Sequence, residues 1–402
     1  MALTLFFSNE KKNWTLYWNR TLIFLFIVTY FLGGITRYKH LIVILITITA
    51  IIYLCRQPKH FLPVFKTYLF YSVAFLTVAV LLSLFQTPDF KASLKEINRS
   101  VLENMFLCTI TIPVLLKNEN KELVSKLIFF SFITGLGLRC LSELILYYKD
   151  YKQGIMPFID FRHRSISDSM VFLFPALLSV WLIKSIKYKI AFVLLSTVYL
   201  FLLLGTLSRG AWLSVLIVIL LWIVLHRQYR LLTIGILVSA IALAAIFTHK
   251  QASTILITKL QQTDSSNRYS NGVQGSALNL IMENPVLGYG FGNAAYKDVY
   301  NKRVVDYPNW IYRESIGPHN LALFIWFGTG LLGFAGLLLT YAAITKECIA
   351  NAFEKSQSFP INAHMIILLS FFGYFIIRGN VEQIQLDLLG ILVGLLIAMH
   401  KK

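Results

Sequence analysis

Apolar residues come in long blocks along this chain, separated by short connections rich in lysine and arginine. A membrane-crossing helix needs about 20 mostly apolar residues, and by that measure about twelve blocks qualify. They are centred in 21–36, 40–55, 67–86, 101–116, 123–147, 169–186, 189–207, 210–226, 230–248, 319–345, 361–378 and 382–400. The pattern predicts an all-α polytopic membrane protein. Residues 1–248 hold spans 1–9, a large and partly helical polar loop covers 249–318, and 319–402 hold spans 10–12. Within the loop, Gln251–Gln262 and Val273–Asn284 have helical patterning, and Ala277, Leu278, Leu280, Ile281 and Met282 offer the second helix an apolar face. Asn284-Pro285 ends that helix, because proline disfavours helical geometry in the residue before it. Gly288, Gly290 and Gly292 then allow a tight irregular path.

Composition strengthens the membrane reading. Of 402 residues, 57% are hydrophobic and 14% charged, against roughly 25% charged in a soluble domain. The net charge of +18 is spread over nearly every connection. That distribution suits anionic membrane lipids; no soluble domain remains to hold a nucleic-acid groove. Cys55, Cys108, Cys140 and Cys348 lie in or beside apolar blocks without paired spacing, so neither a disulfide framework nor a zinc site is expected. The first apolar run follows a polar Met1–Arg20 and has no small-residue cleavage site, so it reads as a first span.

Alternating the spans puts both termini on one side, where every connection is basic: Arg56, Lys59, Lys117, Lys121, Lys184, Lys187, Arg227, Arg230 and Lys346. The positive-inside rule makes that side cytoplasmic. The 249–318 loop then faces the periplasm of a bacterial inner membrane. The bias is imperfect, since Arg37, Lys39, Lys91, Lys95, Arg99, Arg162, Arg164, Arg209 and Arg378 fall on the outer side. Such residues either snorkel to headgroup phosphates or form a surface that holds phosphate-rich lipids.

Three outer residues carry the candidate chemistry. Arg209 stands in Leu207-Ser208-Arg209-Gly210-Ala211-Trp212, between two apolar runs with almost no loop. Ser208 is an N-cap type, so Arg209 sits at the positive end of the next helix. A guanidinium beside free helix N–H groups suits a phosphate; the alternative is an anchoring arginine at a tight hairpin. Arg268 follows the polar stretch Asp264–Asn267, which can cap a helix containing it, and taken alone is a solvated loop charge. His319 follows Gly317-Pro318, and with Pro318 at the first helical position it falls in the first turn of span 10. The helix dipole there disfavours imidazolium, and a neutral imidazole can serve as a general base. Arg162 and Arg164 form a second basic cluster that either helps seat a phosphate or is a solvated patch. Gly288-Tyr289-Gly290-Phe291-Gly292 lacks the strand–helix context of a dinucleotide loop and reads as backbone shaping. The outer acids show no metal-ligand spacing, so no catalytic metal and no cofactor are expected.

Ser-Arg-Gly-Ala-Trp at 208–212, Asn-Arg-Tyr at 267–269, Asn-Pro-Val-Leu-Gly-Tyr-Gly at 284–290 and Pro-His-Asn at 318–320 follow one another in order. In these motifs and in its span pattern the whole chain resembles the O-antigen ligase and polymerase superfamily, and its enterobacterial ligases most. One departure is that Ser270–Leu280 lacks the tryptophan the superfamily often carries after the loop arginine. The resemblance implies transfer of O-antigen from undecaprenyl diphosphate to a lipid A-core sugar among the membrane lipids, without nucleotide or metal. Arg209 and Arg268 would hold the diphosphate, with Ser208, Arg162, Arg164 and Asn320 among the substrate contacts, and His319 would activate or orient the acceptor hydroxyl.

Two rivals follow from the same residues. A polymerase would use the same donor with a growing glycan as acceptor, but would more often carry a second arginine-rich long loop mid-chain. Here 149–168 is short. A lipid-linked glycan flippase or transporter would place its polar residues inside the bundle or in inverted repeats, whereas these collect at one face.

Overall fold

The computed structural model describes residues 14–155, 160–230, 267–354 and 359–400, with isolated positions between those segments. Regular structure among them is entirely helical. The main helices are α1 (Trp14–Tyr30), α2 (Thr36–Arg56), α3 (Tyr68–Leu82), α4 (Phe90–Ile97), α5 (Leu107–Leu115), α6 (Lys121–Lys152) and α7 (Ser167–Val180). They continue with α8 (Ile186–Gly205), α9 (Arg209–His226), α10 (Val273–Glu283), α11 (Asn293–Arg303), α12 (Leu321–Ala352), α13 (Ala363–Phe371) and α14 (Asp387–Met399).

Seven helices among the described residues are long and apolar enough to cross a membrane: Thr36–Arg56, Tyr68–Phe85, Lys121–Lys152, Ile186–Gly205, Arg209–His226, Leu321–Ala352 and Ala363–Asn380. The expected spans near 21–36, 101–116, 169–186 and 382–400 coincide with the shorter helices α1, α5, α7 and α14. The expected span at 230–248 and the Gln251–Gln262 helix lie outside the described residues. The chain is therefore a multi-pass membrane protein.

Lipid tails are as apolar as leucine, so helices in a bilayer associate through close packing and hydrogen bonds. Gly390 and Gly394, four apart, bring α14 against the backbone of Met105 and Cys108. Connections sort to two ends of the bundle. At one end, buried Arg20 pairs with Glu119 at 2.6 Å, and Glu347 takes bonds from Tyr68 and His400. At the other end Tyr30 meets Asp387, Asn293 meets Glu96, Arg164 meets Glu382, and Arg268 meets Val381.

The Asn284–Asn293 run has a specific backbone role. Helix α12 is interrupted at Gly330, whose φ of 61° and ψ of −159° are not helical. The break frees carbonyl groups that a straight helix would use itself. Tyr289 N–H donates to the Phe327 carbonyl at 2.9 Å and Gly290 N–H to that of Gly328 at 2.9 Å. In return Leu331 N–H donates to Val286 at 3.1 Å. At Gly288 a Cβ would stand 2.6 Å from the Gly330 nitrogen, so only glycine permits this approach. The loop is thereby fixed to α12 about two turns beyond the residues that open it.

Candidate active site

The segment after α13 organises this end of the molecule. Helix α13 passes into a π-helical stretch, Phe372–Ile377, and then a 3-10 turn, Arg378–Asn380. Widened turns of this kind recur at functional sites because they re-aim the side chains that follow. Arg378 is aimed inward, with only 4% of its side chain exposed, and its Nη2 lies 3.2 Å from Asp168 and 3.0 Å from Glu382. It also donates to Ser167 Oγ at 2.7 Å. A buried guanidinium needs such partners, because an unpaired one would lose its hydration without return.

Glu382 is the common acceptor. Its Oε1 receives Ser208 Oγ at 2.8 Å and Arg164 Nη2 at 3.1 Å, while Oε2 receives Arg378. Burial pushes its carboxyl up, but Arg378, Ser208 and Arg164 outweigh burial and hold it below the usual carboxylate range. Ser208 meanwhile caps α9, as its residue type predicts, accepting from the Ala211 N–H at 3.3 Å. Arg209 is the first residue of that helix. The next residue, Gly210, lies against the same segment, with a would-be Cβ 2.9 Å from Val381 and 3.1 Å from Glu382.

Arg268 reaches the segment from the loop. Its Nη1 donates to the Val381 carbonyl at 2.6 Å. It lies in a turn and not within a helix as expected: α10 begins at Val273, and the Arg268 carbonyl accepts from the Gln274 and Gly275 N–H groups at 3.0 Å each. The polar stretch therefore leads into the helix, and Arg268 itself satisfies the first free donors.

His319 differs from its expected place by one structural step. Asn320, not Pro318, opens α12: its side chain accepts from Leu323 N–H at 3.1 Å. Asparagine outcompetes the proline here because its side-chain oxygen satisfies an otherwise free N–H. His319 thus precedes the helix in a left-handed conformation, φ 46°. It is one of four such non-glycine residues among those described, and another, Leu207 (φ 48°), adjoins Ser208. Backbone strain of this kind persists only where the surroundings hold it. Gln274 does so, donating to the His319 carbonyl at 3.1 Å and to the Asn380 carbonyl at 2.7 Å. Asn320 Nδ2 adds a bond to Asn380 Oδ1 at 3.2 Å. Burial, then the charges of Arg268 and Arg164, lower the His319 pKa, with Glu382 and a backbone bond to Ile316 opposing them. Burial and the neighbouring guanidinium groups thus favour the neutral imidazole, and His319 stands before the helix, not within its first turn.

The Arg162–Arg164 pair divides. Arg164 joins Glu382, whereas Arg162 is bound by Asp160 at 2.6 Å and has Asp150 at 4.0 Å. His163 between them is buried, stacked on Tyr147 and bonded to Glu143 at 2.6 Å. Sequence reasoning missed Gln274, Asn380 and Glu382, and placed Arg378 only among the outer-side cations. Glu382 was absorbed into the edge of the last span, although the i, i+4 spacing of Arg378 and Glu382 was a usable signal. Among the described residues no group of three or more His, Cys, Asp or Glu side chains is placed to hold a metal ion. The assembly offers fixed cationic donors beside a neutral imidazole, which suits a leaving anion and an attacking hydroxyl.

Comparison with known proteins bears on the family of the chain. The family described as O-antigen ligase matches residues 190–338, a range that includes Arg209, Arg268 and His319. An O-antigen ligase of Salmonella typhimurium (strain LT2) is 53% identical over 403 residues, covering all of both chains. A relative of that identity, matched over the full length of both chains, shows that the chain belongs to the O-antigen ligase family.

Proposed function

We propose that this chain transfers O-antigen polysaccharide from undecaprenyl diphosphate to a sugar of the lipid A-core, on the periplasmic face of the bacterial inner membrane. Family membership makes it a glycosyl-transferring enzyme. The observation that carries the finer reading is the meeting of Arg268, the Ser208–Arg209 turn and His319 around Val381 and Glu382. We retain the division into spans 1–9 (1–248), a periplasmic loop (249–318) and spans 10–12 (319–402), with both termini cytoplasmic.

In this reading an acceptor hydroxyl attacks the anomeric carbon of the donor from the face opposite the diphosphate. The new carbon–oxygen bond forms as the carbon–diphosphate bond breaks, so the centre inverts. His319 takes the hydroxyl proton, and undecaprenyl diphosphate departs with the electron pair. Its negative charge grows during that step, so Arg209 and Arg268 stabilise the transition state more than the bound donor. Ser208 and Asn320 set the two helix ends, and Arg164 adds charge at the rim. Arg162 contributes only to the positive field. No nucleotide or metal takes part.

The test is transfer in a purified system containing the enzyme, undecaprenyl-diphosphate glycan, lipid A-core and chelator, without nucleotide. Glycan on lipid A-core supports the reading. Lengthening of glycan on its own carrier would identify a polymerase instead. Absence of both products would overturn the assignment and favour a transporter.

A further inference from the structure

Beside the cluster lies a cleft of about 660 Å³ that the chemistry above does not use. It shares a wall with the site. Glu382 turns toward Ser208, Arg164 and Arg378, whereas Gln383 through Asp387 face the cleft. Its floor includes Leu321 and Phe324, the first turn of α12 and therefore close in sequence to His319, together with Phe291. The opposite wall is α4 and the π-helical stretch Asn98–Phe106 that continues it.

Three features give the cleft a ligand type. Its volume falls within the range of sites for small organic ligands, about 300–1,000 Å³. Asn104, Asn293 and Gln383 line it with side-chain amides, whose second N–H and lone pairs remain beyond the bonds they make to Arg99, Glu96 and one another, over an aromatic floor; that combination suits hydroxyl-bearing rings. The rim is fixed, because Asn293 Nδ2 donates to Glu96 at 2.7 Å while its Oδ1 accepts from Gln383 at 2.5 Å.

Lys95 and Arg99 decide the charge. They stand one helical turn apart, both line the cleft and both are exposed. Arg164 and Arg378, at the neighbouring site, are engaged by carboxylates, but no ion pair holds Lys95 or Arg99 among the described residues. Three carboxylates also line the cleft, but each is engaged elsewhere, Asp168 by Arg378, Asp387 by Tyr30 and Glu96 by Asn293, so the two exposed cations at the mouth are left to attract an anionic ligand and hold it there.

Resting on the ligase reading, we infer that this cleft is the acceptor subsite: it takes a saccharide carrying phosphate groups, with Lys95 and Arg99 binding a phosphate. The donor diphosphate occupies the arginines across the Val381–Glu382 segment. The second substrate thus approaches His319 from the other side, as an inverting attack needs.

The experiment has two arms. In steady-state transfer, the Lys95→Ala/Arg99→Ala enzyme should show an acceptor KM raised about tenfold, the loss expected for two exposed charge contacts. Its kcat and donor KM should stay within about twofold, since neither cation touches the reacting atoms in this proposal. An unchanged acceptor KM, a raised donor KM or a fall in kcat alone would overturn it. In the second arm, binding of purified lipid A-core to His319→Ala protein is measured with acceptor phosphates intact or removed by phosphatase. Removing the phosphates should weaken binding as much as the double substitution does, with no further loss when both are combined. Additive losses would show that the cations meet something else. Binding needs no turnover, so it separates failure of the subsite from failure of the ligase reading, which would leave wild-type enzyme without product.

Discussion

Gln274, fully buried in the first turn of α10, donates its side-chain amide to the carbonyl of His319 at 3.1 Å. The same nitrogen reaches Asn380, so one side chain ties the loop helix, the proposed base and the segment after α13 together. Gln274→Ala removes both bonds. A buried bond is worth about 1 kcal/mol net, and more when its acceptor is left unpaired. We expect kcat to fall about tenfold or more with little change in donor KM, because His319 loses its position and the arginines do not. A variant with full kcat would show that His319 holds its left-handed backbone without help.

The charges around His319 set a pH dependence. Burial and Arg268 lower its pKa, so the neutral base persists to lower pH and the acid limb of kcat should lie below the ordinary histidine value of about 6.5. Glu382 opposes that lowering. Glu382→Gln keeps an acceptor for Ser208 but loses the charge, so the limb should move further toward acid while total activity drops. A limb that stays in place or moves up would separate Glu382 from the titration of His319.

Arg209→Ala and Arg268→Lys test the diphosphate contacts. Removing one fixed donor to a developing charge typically costs about 100- to 1,000-fold in kcat. Lysine keeps the charge of Arg268 but lacks the planar fork that can hold the Val381 carbonyl and the proposed diphosphate together, so it should rescue little. Normal transfer by the Arg209→Ala enzyme, purified and correctly inserted, would exclude it from the diphosphate site.

Gly330→Ala tests the docking of the loop. The residue has φ 61°, and its new Cβ would collide with the Val286 carbonyl oxygen that Leu331 uses. Strain of this kind costs about 1–3 kcal/mol. Thermal unfolding in detergent should shift down, and transfer should fall because the loop carrying Arg268 loses its seat on α12. Wild-type stability and activity would show that the break in α12 is incidental.

The sequence by itself determined the membrane class and the position of most helices. Those follow from hydrophobic block length and from Asn284-Pro285 and Ser208, which act through their immediate neighbours. It also pointed to Arg209, Arg268 and His319 through motif order. The partners of those residues came only from the tertiary structure. Glu382 lies 174 positions from Ser208, and Arg268 lies 113 from Val381. No local pattern relates residues so far apart; packing of α9 on α13 and its continuation, and of α10 on α12, does. The start of α12 was misplaced for a related reason. Proline and asparagine both suit a helix start, and the choice fell to Asn320 once Gln274 and Asn380 held His319 outside the helix.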